Sequence, residues 1–250
     1  IMFLSWVIPA YNEEKRIEKT IREVDAYLRS KNFSSGHEII AVDSCARDRT
    51  GEIVELLRSE IPHLILLAVD NKGKGWAVRE GMRAAQGEIR IFADADNSVS
   101  PEQFDRFLPI LCRSESAGGE CADIVVGSIE IKGASIEERA QWWRRILGKT
   151  AKYVIRAGSG LWEIRDSQRG FKAFTRSAAE YVFARQTVTG WGFDFEILLI
   201  AKLGGFRIRE IPVSWINPPG SKVNLGAYLS TLLELMRVRW NLLIGMYEKK

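Results

Sequence analysis

Two aspartates one residue apart are the first groups in this sequence that could carry out chemistry. Asp94 and Asp96 follow the apolar stretch EIRIFA at residues 88–93. Alternate side chains of a strand point to the same side, so both carboxylates face one way with Ala95 between them. Such a pair repels unless a cation lies between the two acids or one acid is protonated. Mg²⁺ or Mn²⁺ suits the pair, because these ions accept carboxylate and phosphate oxygens together; a solvated strand end with a capping aspartate is the alternative.

The segment NKGKG at residues 71–75 is a second candidate. Gly73 and Gly75 permit a ligand to approach the backbone, and a helix start beside Lys72 and Lys74 favours an anion. The spacing matches neither a P-loop nor a dinucleotide fingerprint. A plain solvated turn is the alternative interpretation.

Residues at two further predicted strand ends could recognise a nucleoside. In PAYNEE at residues 9–14, Tyr11 could stack on a base and Asn12 could form a hydrogen bond to it. Asp43 ends the next strand and could accept from a base amide or a ribose hydroxyl. A tyrosine packed in the core and a capping aspartate are the alternatives.

An alternation of strands and helices must position these groups. Apolar runs predict strands at 3–8, 38–43, 64–69 and 88–93, and helical spacing predicts helices between them. Ser100, Pro101 and Gln103 then predict a helix that starts with a capping box. The pattern predicts an α/β fold, a mostly parallel doubly wound sheet with helices on both faces. In such sheets ligands bind beyond the carboxyl ends of the strands, where all the candidates above lie.

The second half of the chain predicts a fifth strand at 122–128, an apolar helix from Phe193 and a strand at 206–215. We expect one domain over 1–225 and a C-terminal amphipathic helix over 226–250. Its leucines at helical spacing, with Arg237, Arg239 and Trp240, are typical of a membrane-interfacial helix. A core-packing or dimer-forming helix is the alternative. Trp142 and Trp143, next to Arg144 and Arg145, are a second membrane-facing candidate.

Composition narrows the classes of function. The 250 residues carry a net charge of +4, and the sequence pI is about 9.0. This basic excess is too small to predict nucleic-acid binding, but it is compatible with phosphate-bearing substrates or an anionic membrane surface. No apolar run reaches the length of a membrane span. His37 and His63 both lie at predicted element edges, so we expect neither a histidine triad nor a zinc site.

Taken in order, the motifs P-A-Y-N-E-E, V-D-x-x-x-x-D-x-T, N-x-G-K-G and D-A-D resemble the family 2 glycosyltransferases of GT-A fold. Later segments narrow the resemblance to the dolichyl-phosphate and polyprenyl-phosphate glucosyltransferases and mannosyltransferases of this family. These segments are RDSQRGFKAFTRSAAEYVF, GWGFDFEILLIA, EIPVSW and GSKVN, and the resemblance covers nearly the whole chain. The resemblance implies inverting transfer of a hexose, glucose before mannose, from a nucleoside diphosphate sugar to a polyprenyl or dolichyl phosphate. It implies Mg²⁺ or Mn²⁺ as cofactor. UDP-glucose is the favoured donor and GDP-mannose the next.

The resemblance also implies roles for single residues. The nucleotide would lie among Pro9, Tyr11, Asn12, Glu13, Asp43 and Lys74. The divalent ion would be held by Asp94, Asp96 and Ser98. The acceptor side would include Asp166, Gln168 and Lys172, and the lipid phosphate would meet Arg169 with Arg144 or Arg145. A phosphate monoester is already largely dianionic at neutral pH, so we assign Asp166 to positioning and keep a general-base role open.

Two departures from the family pattern bear on activity. The family's V-D-D-G-S is Val42-Asp43-Ser44-Cys45-Ala46 here, and Ile129 stands where an arginine is frequent. We therefore keep two alternatives: a glycosyltransferase acting on a saccharide or protein hydroxyl, and a catalytically silent nucleotide-sugar-binding module. We expect a protein on the cytoplasmic face of a membrane, bound peripherally, with a homo-oligomer compatible with the sequence and nucleic acid excluded as a partner.

Overall fold

A seven-stranded sheet forms the centre of the computed structural model, which describes residues 3–31, 33, 36–111, 121–136, 152–216 and 225–248. In chain order its strands are β1 (Leu4–Ala10), β2 (His37–Ser44), β3 (Leu64–Val69), β4 (Ile89–Ala93), β5 (Ile124–Ser128), β7 (Phe171–Thr175) and β8 (Ile208–Pro212). In space the order is β3-β2-β1-β4-β7-β5-β8. Two short strands, β6 (Ser135–Ile136) and β9 (Ser214–Trp215), pair separately. The predicted α/β fold with a mostly parallel sheet is confirmed.

Parallel pairing joins β1 to β2 and β4, β2 to β3, and β5 to β8, whereas β7 runs antiparallel between β4 and β5. The sequence did not predict β7. Its five residues, FKAFT, are all buried, but Lys172 interrupts the apolar run that identifies a buried strand. The lysine is tolerated because it is fully buried against the carboxylate of Asp194.

Helices cover both faces of the sheet. They are α1 (Ile17–Lys31), α2 (Thr50–Leu57), α3 (Lys74–Ala84), α4 (Arg176–Arg185), α5 (Phe193–Leu203) and α6 (Leu225–Leu243), and residues 152–159 are also helical. Successive side chains of β1 point to opposite faces of the sheet. Trp6 lies in one core, where its ring makes edge-to-face contacts with the rings of Tyr27 and Phe104. Val7 points to the other core, which contains Phe92 and Phe193. The strand is therefore buried on both sides, as its continuous apolar run predicts.

The capping box predicted at Ser100 is wrong. Pro101–Arg106 is a 3₁₀ helix with Pro101 in its first turn, and the Ser100 side chain forms no capping hydrogen bond. The backbone N–H of Gln103 donates to the Ser100 carbonyl at 3.1 Å instead. The Gln103 side chain accepts from the Ser214 N–H at 3.2 Å, so it connects this turn to β9.

The C-terminal helix α6 has one buried side and one exposed side. Leu235 and Val238 lie in the core that contains Phe193, and the Glu234 carboxylate accepts from the Gly192 N–H at 2.7 Å. The opposite side exposes apolar residues at helical spacing: Leu229, Leu232, Leu233, Met236, Trp240 and Leu243. We call these six residues the apolar stripe. Within the described ranges, no helix is both long enough and apolar enough to cross a membrane.

Candidate active site

Three strand ends at the same rim of the sheet turn through left-handed residues that are not glycine. Asn12 follows β1 with φ 53°, Cys45 follows β2 with φ 54°, and Asn97 lies just beyond β4 with φ 47°. Such conformations are uncommon for residues with a Cβ, and they concentrate at functional sites. This carboxyl-end rim is where ligands bind in open α/β sheets.

Asp94 lies at this rim against a lysine. Lys74 Nζ lies 2.6 Å from Asp94 Oδ1, and the Asp94 N–H donates to the Gly170 carbonyl at 3.0 Å. A Cβ on Gly170 would lie 2.2 Å from Asp94 Oδ2, so only glycine leaves room for this carboxylate. Burial alone would lower the pKa of Lys74, but the carboxylates of Asp94, Asp194 and Asp96 raise it above the usual lysine value. The rim therefore has a permanent cation beside its acids.

Asp96 lies next to that pair. Its Oδ1 accepts from the Ser98 N–H at 3.0 Å, so the predicted metal contact Ser98 orients Asp96 through its backbone. Burial and the charge of Asp94 raise the pKa of Asp96. Burial is the larger of these two causes, so a cation beside Asp96 would stabilise its ionised form. Oxygen ligands in this arrangement fit a hard divalent cation.

The predicted nucleotide-side residues form one connected loop pair. Asn12 Oδ1 accepts from the Arg47 N–H at 2.7 Å, and the Glu13 N–H donates to Thr50 Oγ1 at 2.8 Å. These bonds join the loop after β1 to the loop after β2. Tyr11, at 36% exposure, lies on the outside of the pair.

Asp43 and Pro9 lie in neighbouring register positions of β2 and β1. Pro9 pairs with Val42, one residue before Asp43. Asp43 Oδ1 accepts from the Ala46 N–H at 2.9 Å, and a Cβ on Gly51 would lie 2.8 Å from Asp43 Oδ2. The carboxylate therefore orders the turn that contains Cys45 and stays half-buried at the rim.

The glycines of NKGKG contact protein backbone. A Cβ on Gly73 would lie 2.3 Å from the Thr189 carbonyl oxygen, and one on Gly75 would lie 2.6 Å from Phe193 Cβ. The sequence analysis explained both glycines by the approach of a ligand, whereas the structure explains them by the close packing of residues 187–193. This packing fixes the start of α3 and hence the position of Lys74.

The predicted acceptor-side segment lies beside β7. Asp166 is fully buried, with its Oδ2 accepting from the Ile129 N–H at 3.2 Å and from Arg169 Nε at 3.4 Å. Burial would raise the pKa of Asp166, but Arg169 and Lys152, whose Nζ is 3.4 Å from Oδ1, hold it below its ordinary value. The carboxylate is therefore ionised and surrounded by cations.

The other acceptor-side residues fall into three groups. Gln168 is half-buried. Lys172 Nζ donates to the Arg169 carbonyl at 2.6 Å and is ion-paired with Asp194, and Arg169 lies over the Trp215 ring with Cζ 4.9 Å from the centroid. Arg144 and Arg145 lie outside the described residues.

Sequence reasoning missed several residues that shape this site: Lys152, Gly170, Asp194 and Glu210. Glu210 accepts from the Arg165 and Asp166 N–H groups at 2.8 Å and so holds the acceptor-side loop. The resemblance assigned no role to them, and their partners are far apart in the chain. Gly170, immediately before the unrecognised strand β7, was the one visible signal.

Comparisons with known proteins agree with this geometry. A family model, Glycosyl transferase family 2, matches residues 5–183. A Trichomonas vaginalis protein named dolichyl-phosphate beta-glucosyltransferase is 31% identical over 95% of this chain and 73% of its own length. The human protein of the same name is 31% identical over 98% of this chain and 77% of its own.

Solved structures share the fold. Mycobacterium tuberculosis glucosyl-3-phosphoglycerate synthase, in complex with Mn²⁺, UDP-glucose and phosphoglyceric acid, superposes with a TM-score of 0.64 at 19% identity, covering 96% of this chain and 80% of that one. A Pyrobaculum calidifontis mannosyltransferase in complex with GDP-mannose and Mn²⁺ gives 0.60 at 21% identity, covering 97% and 64%. With the family match and two relatives above 30% identity, the chain belongs to glycosyl transferase family 2 and is a glycosyltransferase with a GT-A fold.

Proposed function

We propose that this protein transfers a hexose from a nucleoside diphosphate sugar to a dolichyl or polyprenyl phosphate with inversion at the anomeric carbon. The observation that carries the proposal is the rim cluster of Asp94, Asp96 and Lys74, which combines two acids for a divalent ion with a cation for a diphosphate. The names of the relatives support the lipid phosphate as acceptor and glucose as the sugar. UDP-glucose is the proposed donor and GDP-mannose the next candidate.

Asp94 and Asp96 would hold Mg²⁺ or Mn²⁺, and the site fits such an ion. Both side chains offer oxygen ligands, Gly170 leaves room for the Asp94 carboxylate at the rim, and an ion would stabilise the buried Asp96 in its ionised form. When bound, the ion would supply Lewis-acid stabilisation of the charge that develops on the departing diphosphate. The Mn²⁺ in the two neighbouring structures supports this choice.

The chain's own residues bind and orient the reactants around that charge. Lys74, half-buried beside Asp94, would exchange part of its contact with the carboxylate for the donor diphosphate. Tyr11 and Asp43, on adjacent strand ends, would flank the nucleoside. Both are held by loops with their own hydrogen bonds, so the donor pocket is preorganised.

On the acceptor side, Arg169 would meet the lipid phosphate, because guanidinium groups bind phosphate in a bidentate geometry. Asp166 is buried, ionised and hydrogen-bonded to Arg169, so it positions that arginine. The attacking oxygen belongs to a phosphate that is already largely dianionic at neutral pH. Removal of a proton is therefore not a required step, and positioning is sufficient.

Access to a lipid acceptor requires contact with a membrane. The apolar stripe of α6 leaves Leu233 at 66% and Trp240 at 63% exposure, and Arg237 and Arg239 lie on the same exposed helix. An interfacial helix buries such a face among the headgroups while its cations meet anionic lipid. We propose that the protein binds the cytoplasmic face of a membrane peripherally through this helix.

A direct assay tests the reaction. The purified chain would be incubated with UDP-glucose or GDP-mannose, a short polyprenyl phosphate and Mg²⁺ or Mn²⁺, and glycolipid would be measured. We expect glucosyl lipid with the β configuration from UDP-glucose. Transfer to saccharide or protein hydroxyls alone would contradict the lipid acceptor. Donor binding without product under every condition would instead identify a silent module, the alternative that the Ser44-Cys45-Ala46 departure favours.

A further inference from the structure

A second group of metal-binding side chains lies at the other end of the sheet. His37 is the first residue of β2, His63 immediately precedes β3, and Asp25 lies on the buried side of α1. His63 Nε2 is 2.7 Å from Asp25 Oδ1 and 2.9 Å from His37 Nε2. One ligand atom from each residue lies within 4.8 Å of the others. We expected no zinc site from the sequence, because both histidines lie at predicted element edges; the structure brings them together although 26 residues separate them in the chain.

Strand pairing explains why the two histidines meet. The Ile39 N–H donates to the His63 carbonyl at 3.0 Å, so the chain enters the paired strands β2 and β3 with His37 and His63 side by side. Their rings are 4.1 Å apart and nearly perpendicular, at 79°. Asp25 follows Ile21 by one helical turn on the side of α1 that packs on the sheet. The three ligands therefore come from three elements that are already fixed.

Hydrogen bonding alone satisfies this group poorly. A neutral imidazole has one N–H donor and one acceptor nitrogen. If His63 Nε2 donates to Asp25, it has no lone pair to accept a proton from His37 Nε2. If His63 Nε2 instead accepts from His37, the ionised Asp25 loses the imidazole donor and keeps Arg29 Nε, 3.1 Å from Oδ1. A cation placed among the three atoms would use the lone pairs of all of them.

The ligand types select the kind of cation. Two imidazoles and one carboxylate are ligands of Zn²⁺, whereas Mg²⁺ and Ca²⁺ prefer all-oxygen sites. A tetrahedral Zn²⁺ with ordinary Zn–N bonds separates two nitrogens by about 3.3 Å, so the observed 2.9 Å needs an adjustment of only a few tenths of an ångström. Arg29 Nε lies 3.0 Å from Asp25 Oδ2 and 3.1 Å from Oδ1, so it orients the carboxylate through both oxygens.

We propose that Asp25, His37 and His63 bind a borderline transition metal, Zn²⁺ foremost, and that the ion ties α1 to the amino ends of β2 and β3. The strand β2 runs from His37 to Ser44, so roughly 20 Å separate this site from the donor rim. The proposal is independent of the donor metal and of the reaction. The site stabilises the fold by binding the native state alone.

Zinc titration of the full chain, untagged and stripped of metal by a chelator, tests the proposal. The sequence contains only these two histidines, so histidine ligation can be assigned without ambiguity. We expect one tight Zn²⁺ per chain by calorimetry, and a higher melting temperature with ZnCl₂ than without. The same tight binding should remain in Asp94→Asn/Asp96→Asn and in Cys45→Ser. His63→Gln should bind Zn²⁺ about 100-fold more weakly or worse and lose the thermal shift.

Co²⁺ provides an independent readout. Bound to the wild-type chain, it should give a visible absorption of low-coordinate Co²⁺ that disappears in His63→Gln. Should that variant fail to fold, Asp25→Asn keeps the side-chain shape and takes its place. Absence of tight Zn²⁺ binding by the wild type would overturn the proposal. Tight binding that survives His63→Gln but is lost in Asp94→Asn/Asp96→Asn would overturn it equally, since the zinc would then lie at the donor rim.

Discussion

Lys74 Nζ lies 2.6 Å from Oδ1 of Asp94, the residue that directly follows β4. This ion pair occupies the place where the family's divalent ion and diphosphate are expected to meet. The lysine neutralises one of two neighbouring acids, and the other, Asp96, has a raised pKa because of burial and the charge of Asp94. In the proposed function, donor binding would therefore exchange the partners of charged groups that are already in place.

Replacement of Lys74 by methionine should have opposite effects on the donor and on the metal ion. The variant loses a charge-assisted contact to the diphosphate, so we expect kcat/KM for the donor to fall by about 10- to 100-fold. Mn²⁺ should bind more tightly, because no cation competes for Asp94. Donor kinetics and Mn²⁺ calorimetry measure the two effects. Lys19→Met, at an exposed position of α1, is the control; weaker Mn²⁺ binding in Lys74→Met would contradict this account.

The Asp96→Asn variant tests the proposed metal site. The amide keeps the side-chain size and can still accept from the Ser98 N–H, but it removes the charge that a divalent ion requires. We expect turnover to fall by about 10²- to 10³-fold, with an unchanged melting temperature. Glycolipid formation and Mn²⁺ binding would be compared with Glu55→Gln, an exposed carboxylate on α2. Near-normal turnover in Asp96→Asn would remove the metal from the mechanism.

Much of the fold was predictable from the sequence because the first four strands are mainly apolar and alternate with helical patterns. The strands β1 to β4 are buried on one or both sides, and hydrophobic periodicity identified each of them. The strand β7 was not recognised because Lys172, its second residue, breaks the apolar run, and the partner of this lysine, Asp194, is 22 residues away. A buried ion pair between distant residues has no local signature, so the pattern could not indicate a strand.

Prediction of the active site from the sequence has the same limit, because contacts between residues distant in the chain leave no local pattern. Strand ends correctly placed Asp94, Asp43 and Tyr11 at one rim, because parallel strands end on the same side. The roles of Gly73 and Gly75 could not be predicted, since glycine marks a close approach without saying what approaches. Side-chain contacts between residues distant in the chain, such as that of His37 with His63, could not be predicted either.

The Cys45→Gly variant should stabilise the protein. Cys45 has φ 54°, a left-handed conformation that costs a residue with a Cβ about 1–2 kcal/mol. Glycine removes this cost, but it also increases the conformational entropy of the unfolded chain, which offsets part of the stabilisation. We therefore expect the free energy of unfolding to increase by about 0.5–1 kcal/mol. Thermal or urea unfolding would measure it. Cys45→Ala separates the causes, because alanine keeps the Cβ and loses the weak bond from Sγ to the Val69 carbonyl. A glycine variant less stable than the alanine variant would refute the strain argument.

Glu196→Gln should alter the pH dependence of stability. Burial raises the pKa of Glu196 above its ordinary 4.5, despite hydrogen bonds from Thr187, Val188 and Tyr247. A raised folded-state pKa stabilises the protein below pH 4.5, and this contribution is lost as pH rises through the folded-state value. Glutamine has no such loss, so the stability of the variant relative to wild type should increase as the pH rises from 4.5 through the folded-state pKa.

Melting curves across that range measure the difference. The control Glu163→Gln removes an exposed carboxylate paired with Lys202, and its effect should hardly vary with pH. A relative stability of Glu196→Gln that declines with rising pH would mean that the buried carboxylate is better stabilised as an anion than its burial suggests.

The apolar stripe of α6 predicts a membrane contact that single charges can disrupt. Leu233 is 66% exposed. A carboxylate at this position removes the burial of the leucine side chain in the membrane, which contributes about 1.5–3 kcal/mol. It also adds repulsion from anionic lipid. We expect Leu233→Glu to lose flotation with phosphatidylserine vesicles by 10-fold or more, while the melting temperature changes little because the residue is outside the core. Leu56→Glu, at a leucine 67% exposed on α2, is the matched control. Equal flotation of the two variants would mean that α6 does not face the lipid, and the exposed leucines would then need a protein partner.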